Sequence, residues 1–275
     1  MGAVGVRPYG EVVREFLVDS DTDEWRVTTA DFAFLATLAE RLHADGTATE
    51  VALLCSSAAL TRLDGTFRVA SRARDLLVDD VVALRELAVD GPVHTVLVGP
   101  TEALTLVPLG GGEAAAVRIT DGDVRDRLRD RHDAQWDAAM PRSIDEPPYS
   151  RVVESAEGVL DADVRTAFEA ALDAGETREA RERLGSVALM LLVAAAHERE
   201  FRAVVDWAER TTLASQGTVS RTKGRLEEAG LLATEPVKEG VGRPRQRLVL
   251  AEASLRSVPV ADLVNAAGAV VGGAG

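Results

Sequence analysis

Apolar side chains in the first half of the chain alternate between helical spacing and short continuous runs. Helical spacing begins after Asp31 and returns over residues 72–87 and 121–139. Short runs that are typical of strands lie at residues 51–55, 66–70, 93–98, 103–107 and 115–119. Strands that alternate with helices predict an α/β layer whose sheet is at least partly parallel. We therefore predict an α/β domain over residues 1–140.

The alternation of helix-like and strand-like segments ends at a cluster of prolines. Three prolines between residues 141 and 148 predict a linker over residues 141–150, since proline does not continue a helix or a central strand. Helical spacing then resumes. We predict that residues 151–275 form a second, mostly helical domain that begins with a helical connector.

Residues 183–250 have the spacing of a winged helix-turn-helix. Ser215 is a favourable N-cap residue, and Gly230 is a typical helix stop. Together with the apolar spacing they predict helices at residues 184–198, 201–210 and 215–229. Two alternating segments that flank a glycine-rich turn predict a β-hairpin, the wing, over residues 233–250.

The third of these helices has an apolar face and a polar face. Val219 and Leu226 are seven residues apart and are expected in the core. On the polar face, Gln216 and Arg221 are able to make bidentate contacts to adenine and guanine, respectively. Short hydroxyl side chains and further cations can hold the DNA backbone. We predict DNA contacts by these helix residues: Ser215, Gln216, Thr218, Ser220, Arg221, Lys223 and Arg225.

The wing carries a second set of cations. Arg243, Arg245 and Arg247 alternate, so an extended strand places them on one face. Arginine in a slim glycine- and proline-flanked tip suits a narrow minor groove, and we predict that the wing contacts the minor groove or the backbone. The alternative is a helical packing domain with an ordinary hairpin and a solvated charged face.

Composition adds a contrast in charge. The chain has 45 acidic and 31 basic residues, a net charge of −14, and its only lysines are Lys223 and Lys238. An acidic, lysine-poor surface is typical of a halophile's protein, because molar salt screens the self-repulsion. A GC-rich genome would explain the arginines but not the excess of acids. Residues 210–250 nevertheless hold eight basic and four acidic residues, a local charge of +4 that favours DNA.

Other kinds of site have little support in the sequence. The longest apolar run, residues 187–196, is too short to span a bilayer, and no secretory signal opens the chain, so we expect a cytoplasmic protein without a membrane partner. Cys55 lies in an apolar run and is expected in the core. Four scattered histidines and the lack of a catalytic motif predict no metal, no cofactor and no enzyme activity. Trp136 offers a ring for sugar stacking, although tryptophan on an amphipathic helix is more commonly core.

The segment from Trp207 to Leu250 resembles the haloarchaeal TbsP-type transcriptional regulators, which share their architecture with the TrmB-like sugar-responsive regulators. The resemblance rests on Ser220-Arg221-Thr222-Lys223, Arg225-Leu226-Glu227, Gly230-Leu231 and Val241-Gly242-Arg243-Pro244-Arg245. It implies an N-terminal α/β sensor-like domain, a C-terminal winged helix, a homodimer and control of sugar-metabolism genes on double-stranded DNA.

Such a sensor domain also implies a small-molecule effector. TrmB-like sensor domains resemble the phospholipase D fold, whose His-x-Lys chemistry is absent because no histidine lies two residues before either lysine. The alternative function is a metabolite-binding module whose winged helix serves protein–protein contacts.

Overall fold

The computed structural model of the protein describes residues 4–19, 21–47, 49–87, 94–174, 184–237 and 245–273. It divides into two compact units, Met1–Pro148 and Tyr149–Gly275, and each unit is described by itself. No helix among the described ranges is long and apolar enough to cross a membrane.

An eight-stranded mixed sheet forms the N-terminal unit, with strand order β1-β7-β6-β5-β2-β3-β4-β8. The parallel part consists of β2, β3 and β4, and the other pairs are antiparallel. The predicted α/β class with a partly parallel sheet is therefore confirmed. The strands are β1 (Val4–Pro8), β2 (Glu24–Thr29), β3 (Glu50–Ser56), β4 (Val82–Leu87), β5 (Thr95–Val98), β6 (Ala103–Gly110), β7 (Glu113–Ile119) and β8 (Met140–Pro141).

Helices cover one face of this sheet and part of the other. The main core lies under the first four helices and contains Phe34, Leu38 and Leu60 against Val27 and Leu97 of the sheet. A smaller cluster on the opposite face lies under the fifth helix. The helices are α1 (Tyr9–Val13), which continues as a π-helical turn over Arg14–Val18, α2 (Phe32–Asp45), α3 (Ser57–Asp64), α4 (Phe67–Val78) and α5 (Gly122–Ala138).

Two predictions for this unit were wrong. Residues 66–70, predicted as a strand, form the N-cap position and the first turn of α4, because five alternating residues also fit the buried side of a helical turn. The helix predicted over residues 72–87 ends at Val78, and its last third is β4. Asp80 in the left-handed region (φ 57°) turns the chain there, so the helical spacing of the leucines across this point was fortuitous.

The structure also contains elements that were not predicted. The segment with β1 and α1 and the strand β2 are absent from the prediction, and Pro141 of the expected linker pairs with Arg85 in the sheet. An edge position tolerates Pro141, because an edge strand leaves one side of its backbone without ladder hydrogen bonds.

Cys55 and Trp136 both pack against other residues of the N-terminal unit. Burial raises the pKa of the Cys55 thiol to about 12, and the residue is fully enclosed in the core as expected. Trp136 packs against the smaller cluster, with the Arg85 guanidinium 4.7 Å from its ring centroid and the His132 ring stacked at 5.8 Å. Its aromatic faces are thus engaged within the unit.

The C-terminal unit is helical with a small hairpin. Its central helix is buried on nearly all sides, since every residue from Ala188 to Ala195 has at most 2% exposure. Trp207 packs edge-on against Phe168 at 5.1 Å, and its Nε1 donates to the carbonyl of Val152 at 3.0 Å. The elements are α6 (Tyr149–Val159), α7 (Ala162–Ala174), α8 (Gly185–Ala196), α9 (Phe201–Thr211), α10 (Gln216–Glu228), β9 (Leu232–Val237), β10 (Arg245–Leu250) and α11 (Leu263–Gly273).

The last helix docks on its own unit. Leu263, Val264 and Ala267 are buried, and α11 contacts α8 and the short 3₁₀ segments that precede it. This segment therefore has a packing role within the chain.

Candidate nucleic-acid interface

The helix α10 is fixed by its buried side. Val219 is fully buried, and Leu226 and Thr222 are buried beside it. After α10, Gly230 adopts the left-handed conformation (φ 69°) that a helix stop requires, and Leu231 then packs inside. The predicted core positions and the predicted stop are confirmed.

The start of α10 is equally well defined. Thr212, in the left-handed region at φ 61°, ends α9 and begins the turn. The Ser215 hydroxyl then accepts a hydrogen bond from the Thr218 backbone N–H at 3.3 Å, as its predicted N-cap role requires. Ser215 Oγ also lies 3.1 Å from Thr218 Oγ1. These contacts direct the N-terminal turn of α10.

The structure brings most of the predicted helix residues onto one exposed surface. Ser215, Gln216, Ser220, Arg221 and Arg225 are exposed, and Thr218 is half-buried beside Ser215. Within the part of the chain that the structure describes, the Arg221 guanidinium has no ion pair or hydrogen bond. This polar face therefore presents an uncompensated cation in its middle, with amide and hydroxyl groups toward the helix N-terminus.

Lys223 lies away from this surface. Its Nζ is 2.7 Å from Glu227 Oε1 and 5.4 Å from the ring centroid of Phe201, and its side chain is only 13% exposed. The residue bridges α10 and α9 as an intramolecular pair. The structure thus separates Lys223 from the other predicted contacts, because a position two residues after Arg221 faces another side of the helix.

Carboxylates hold the wing arginines that the structure describes. Arg245 Nη1 lies 3.2 Å from Glu200 Oε1. Arg247 contacts Glu235 at 2.9 Å and Glu198 at 3.1 Å, and its pKa is raised by the hydrogen bond to Glu235 and the charge of Glu198. Arg243, Lys238 and the glycine tip of the wing lie outside the described residues.

An isolated antiparallel bridge beside β10 explains these pairs. Glu200 forms an antiparallel bridge with Arg247, and the Leu248 N–H donates to the Arg199 carbonyl at 2.9 Å. The segment before α9 therefore lies along the free edge of β10. These acidic partners were not predicted, although Glu198 and Glu200 alternate along the chain in the same way as Arg245 and Arg247.

Over the described ranges, no three His, Cys, Asp or Glu side chains converge as metal ligands. His132, the buried histidine of α5, contacts the carbonyl of Ala52 at 3.2 Å, and burial lowers its pKa. These contacts are internal to the fold.

A capped helix with an exposed polar face, a preceding helix joined by a tight turn, and a two-stranded wing define a winged helix-turn-helix protein. Comparison of the sequence with family models shows to which family of these proteins the chain belongs. A model described as the C-terminal HTH domain of TbsP-like transcriptional regulators matches residues 148–268, and the corresponding N-terminal model matches residues 6–147. The chain belongs to the TbsP-like transcriptional regulators, and its second unit is their C-terminal HTH domain.

Two solved structures are similar over part of the chain. TrmBL2, an archaeal chromatin protein described as showing a novel mode of DNA binding, is 18% identical with a TM-score of 0.36; the match covers 50% of this chain and 54% of TrmBL2. Nuc from Salmonella typhimurium, a phospholipase D family member, is 13% identical with a TM-score of 0.36, over 52% of this chain and 97% of Nuc. This chain thus spans about half of TrmBL2. No curated protein matches it.

Proposed function

We propose that this regulator binds double-stranded promoter DNA by placing α10 in the major groove and the wing along the adjacent minor groove or backbone. The observation that carries the proposal is the exposed polar face of α10 on a helix capped by Ser215 and seated on buried Val219. In this arrangement Arg221 and Gln216 read base edges.

The remaining predicted residues take supporting roles. Thr218, Ser220 and Arg225 hold the DNA backbone beside the base-reading side chains. Arg243 and Arg245 contact the minor groove or the phosphates next to it. Arg247 contacts DNA only when its ion pairs with Glu198 and Glu235 break. Phosphate contacts fix the register of the helix, whereas base contacts select the sequence.

The biological targets follow from the resemblance of the motifs. We propose that the genes belong to sugar or central carbon metabolism, that the protein works as a homodimer, and that the N-terminal unit senses a small-molecule effector. The leucine-lined cavity beneath α2 and α4 measures about 20 Å³. That is the space of a single water, so an effector of sugar size would bind elsewhere.

A binding experiment tests the DNA-binding proposal. A genome-wide occupancy map with and without glucose supplies promoter fragments, and the full chain is then titrated onto one fragment and onto a shuffled duplex of the same composition. Circular dichroism at each salt concentration shows that the chain stays folded.

The expected result is binding to the promoter at least about 100-fold tighter than to the shuffled duplex, with both affinities falling as salt rises. Equal affinity for the two duplexes would contradict sequence-specific regulation. Absence of duplex binding would favour the alternative, in which the winged helix serves protein–protein contacts.

A further inference from the structure

In one half of the N-terminal sheet, β6 and β7 carry apolar side chains on both faces, and Leu104, Leu106, Ala114 and Ala116 of the inner face belong to the main core. On the face under α1, Arg7 pairs with Glu15 at 2.6 Å and Arg118 pairs with Glu15 at 2.8 Å. These charged side chains therefore point toward the helices. The opposite face of the same strands is apolar and open, although an antiparallel sheet ordinarily turns its polar side to water.

The register shows which residues share the open face. Val6 lies opposite Ala115, and Ala115 lies opposite Val107. In the next row, Val117 lies opposite Thr105, which lies opposite Val96. We call this set the outer valine patch; its members are Val6, Val96, Thr105, Val107, Ala115 and Val117.

The patch is exposed and uncharged. Val6 is 62% exposed and Val107 is 44% exposed, and the other members are half-buried. The helix α5 lies on the same face but contacts β2, β4 and β5. Among the described residues of the N-terminal unit, no helix packs over β1, β6 and β7 on this side. A contiguous exposed apolar surface of this kind marks an interaction site.

We infer that the outer valine patch is the apolar centre of an interface with a second copy of this chain; the inference rests on the proposed function, which calls for a two-fold regulator. Each copy carries a net charge of −14, so two copies repel each other across most of their surface. None of the six patch residues is ionisable. Within the patch two copies therefore bring no like charges together, and Glu113, which is exposed on the same face two residues before Ala115, lies at its rim.

A second copy fits this patch better than a charged partner. A two-fold interface brings the same surface of both subunits together, so the valine side chains of one copy pack against those of the other. A basic or acidic partner would find no opposite charge within the patch. Two-fold pairing also matches the paired half-sites that helix-turn-helix dimers bind.

The test measures mass in the absence of DNA, so that its result does not depend on DNA binding. Size-exclusion chromatography with light scattering is applied to the wild-type chain, Val107→Asp and Val78→Asp. Val78 is a matched control because it is 54% exposed and lies at the end of α4. Circular dichroism establishes that each variant is folded.

We expect the wild type and Val78→Asp at twice the 29.2 kDa chain mass, and Val107→Asp at the mass of one chain. Val6→Asp repeats the test if Val107→Asp does not fold. A monomeric wild type, or dimers of folded Val107→Asp and Val6→Asp, would overturn the inference. Sequence-specific DNA binding by a monomeric wild type would overturn it while leaving the proposed function intact.

Discussion

The helix α10 and the wing share one basic segment but hold their cations differently. Arg221 on α10 is exposed and has no ion pair within the described residues, whereas Arg245 and Arg247 in the wing are each held by glutamates. Lys223, although it lies in α10, resembles the wing arginines because Glu227 neutralises it. A local charge of +4 therefore overstates the charge that is available to DNA.

Because of this difference, we expect α10 and the wing to contribute unequally to DNA affinity. Exposed ion pairs contribute little to stability, so the wing arginines can exchange a carboxylate for a phosphate at small cost. The exchange still reduces the net gain from each wing contact. Arg221 gives up no such pair, and we expect α10 to dominate affinity while the wing modulates it.

The largest effect is expected from a negative charge on α10. Ser220→Glu places a carboxylate on the exposed face beside Arg221, where it would face phosphates and base edges. Opposed like charges at an interface cost several kcal/mol, so affinity for an operator duplex should fall roughly 100-fold or more. Fluorescence anisotropy at a fixed salt concentration measures the loss.

Gln246→Glu is the matched control in the wing, since Gln246 is exposed on β10. It makes the same change of net charge, and we expect a loss below about tenfold because solvent and salt screen an exposed charge there. Equal losses for the two variants would remove the distinction between α10 and the wing.

A smaller effect is expected from removing the helix cap. Ser215→Ala deletes the hydroxyl that accepts from the Thr218 N–H, which should lower the free energy of unfolding by about 1 kcal/mol. Urea denaturation measures this change. Ser220→Ala, in the middle of the same helix, should leave stability nearly unchanged; if both variants behaved alike, the cap would have no special role.

The smallest expected effect is a gain. Glu235→Gln removes one of the two carboxylates that hold Arg247, and DNA affinity should rise roughly two- to fivefold. Glu228→Gln is the control, because Glu228 is exposed at the end of α10 and loses the same charge. A rise in Glu228→Gln as large as that in Glu235→Gln would show a general charge effect and no competition at the wing.

Locally encoded features of the fold were predictable from the sequence. Ser215 and Gly230 act through backbone chemistry within a few residues, and both have the roles that their residue types indicate. Val219 and Leu226 follow from helical spacing. Such signals depend on neighbours along the chain, so one sequence suffices to find them.

Partners that are distant in the sequence were not predictable. The pairing of Arg245 with Glu200 joins residues 45 positions apart, and it exists because the segment before α9 lines the edge of β10. Predictions for short segments were wrong for another reason. Residues 66–70 fit a strand and a helical turn equally well, and only packing in the core decides between them.

The central claim is that α10 carries more of the DNA affinity than the wing residues that the structure describes. Dissociation constants of Arg221→Ala and Arg247→Ala on one operator duplex, measured at a series of KCl concentrations beside the wild type, test it most directly. We expect Arg221→Ala to lose about 1–3 kcal/mol at every salt concentration and Arg247→Ala to stay within roughly fivefold of the wild type. A larger loss for Arg247→Ala than for Arg221→Ala would contradict the claim.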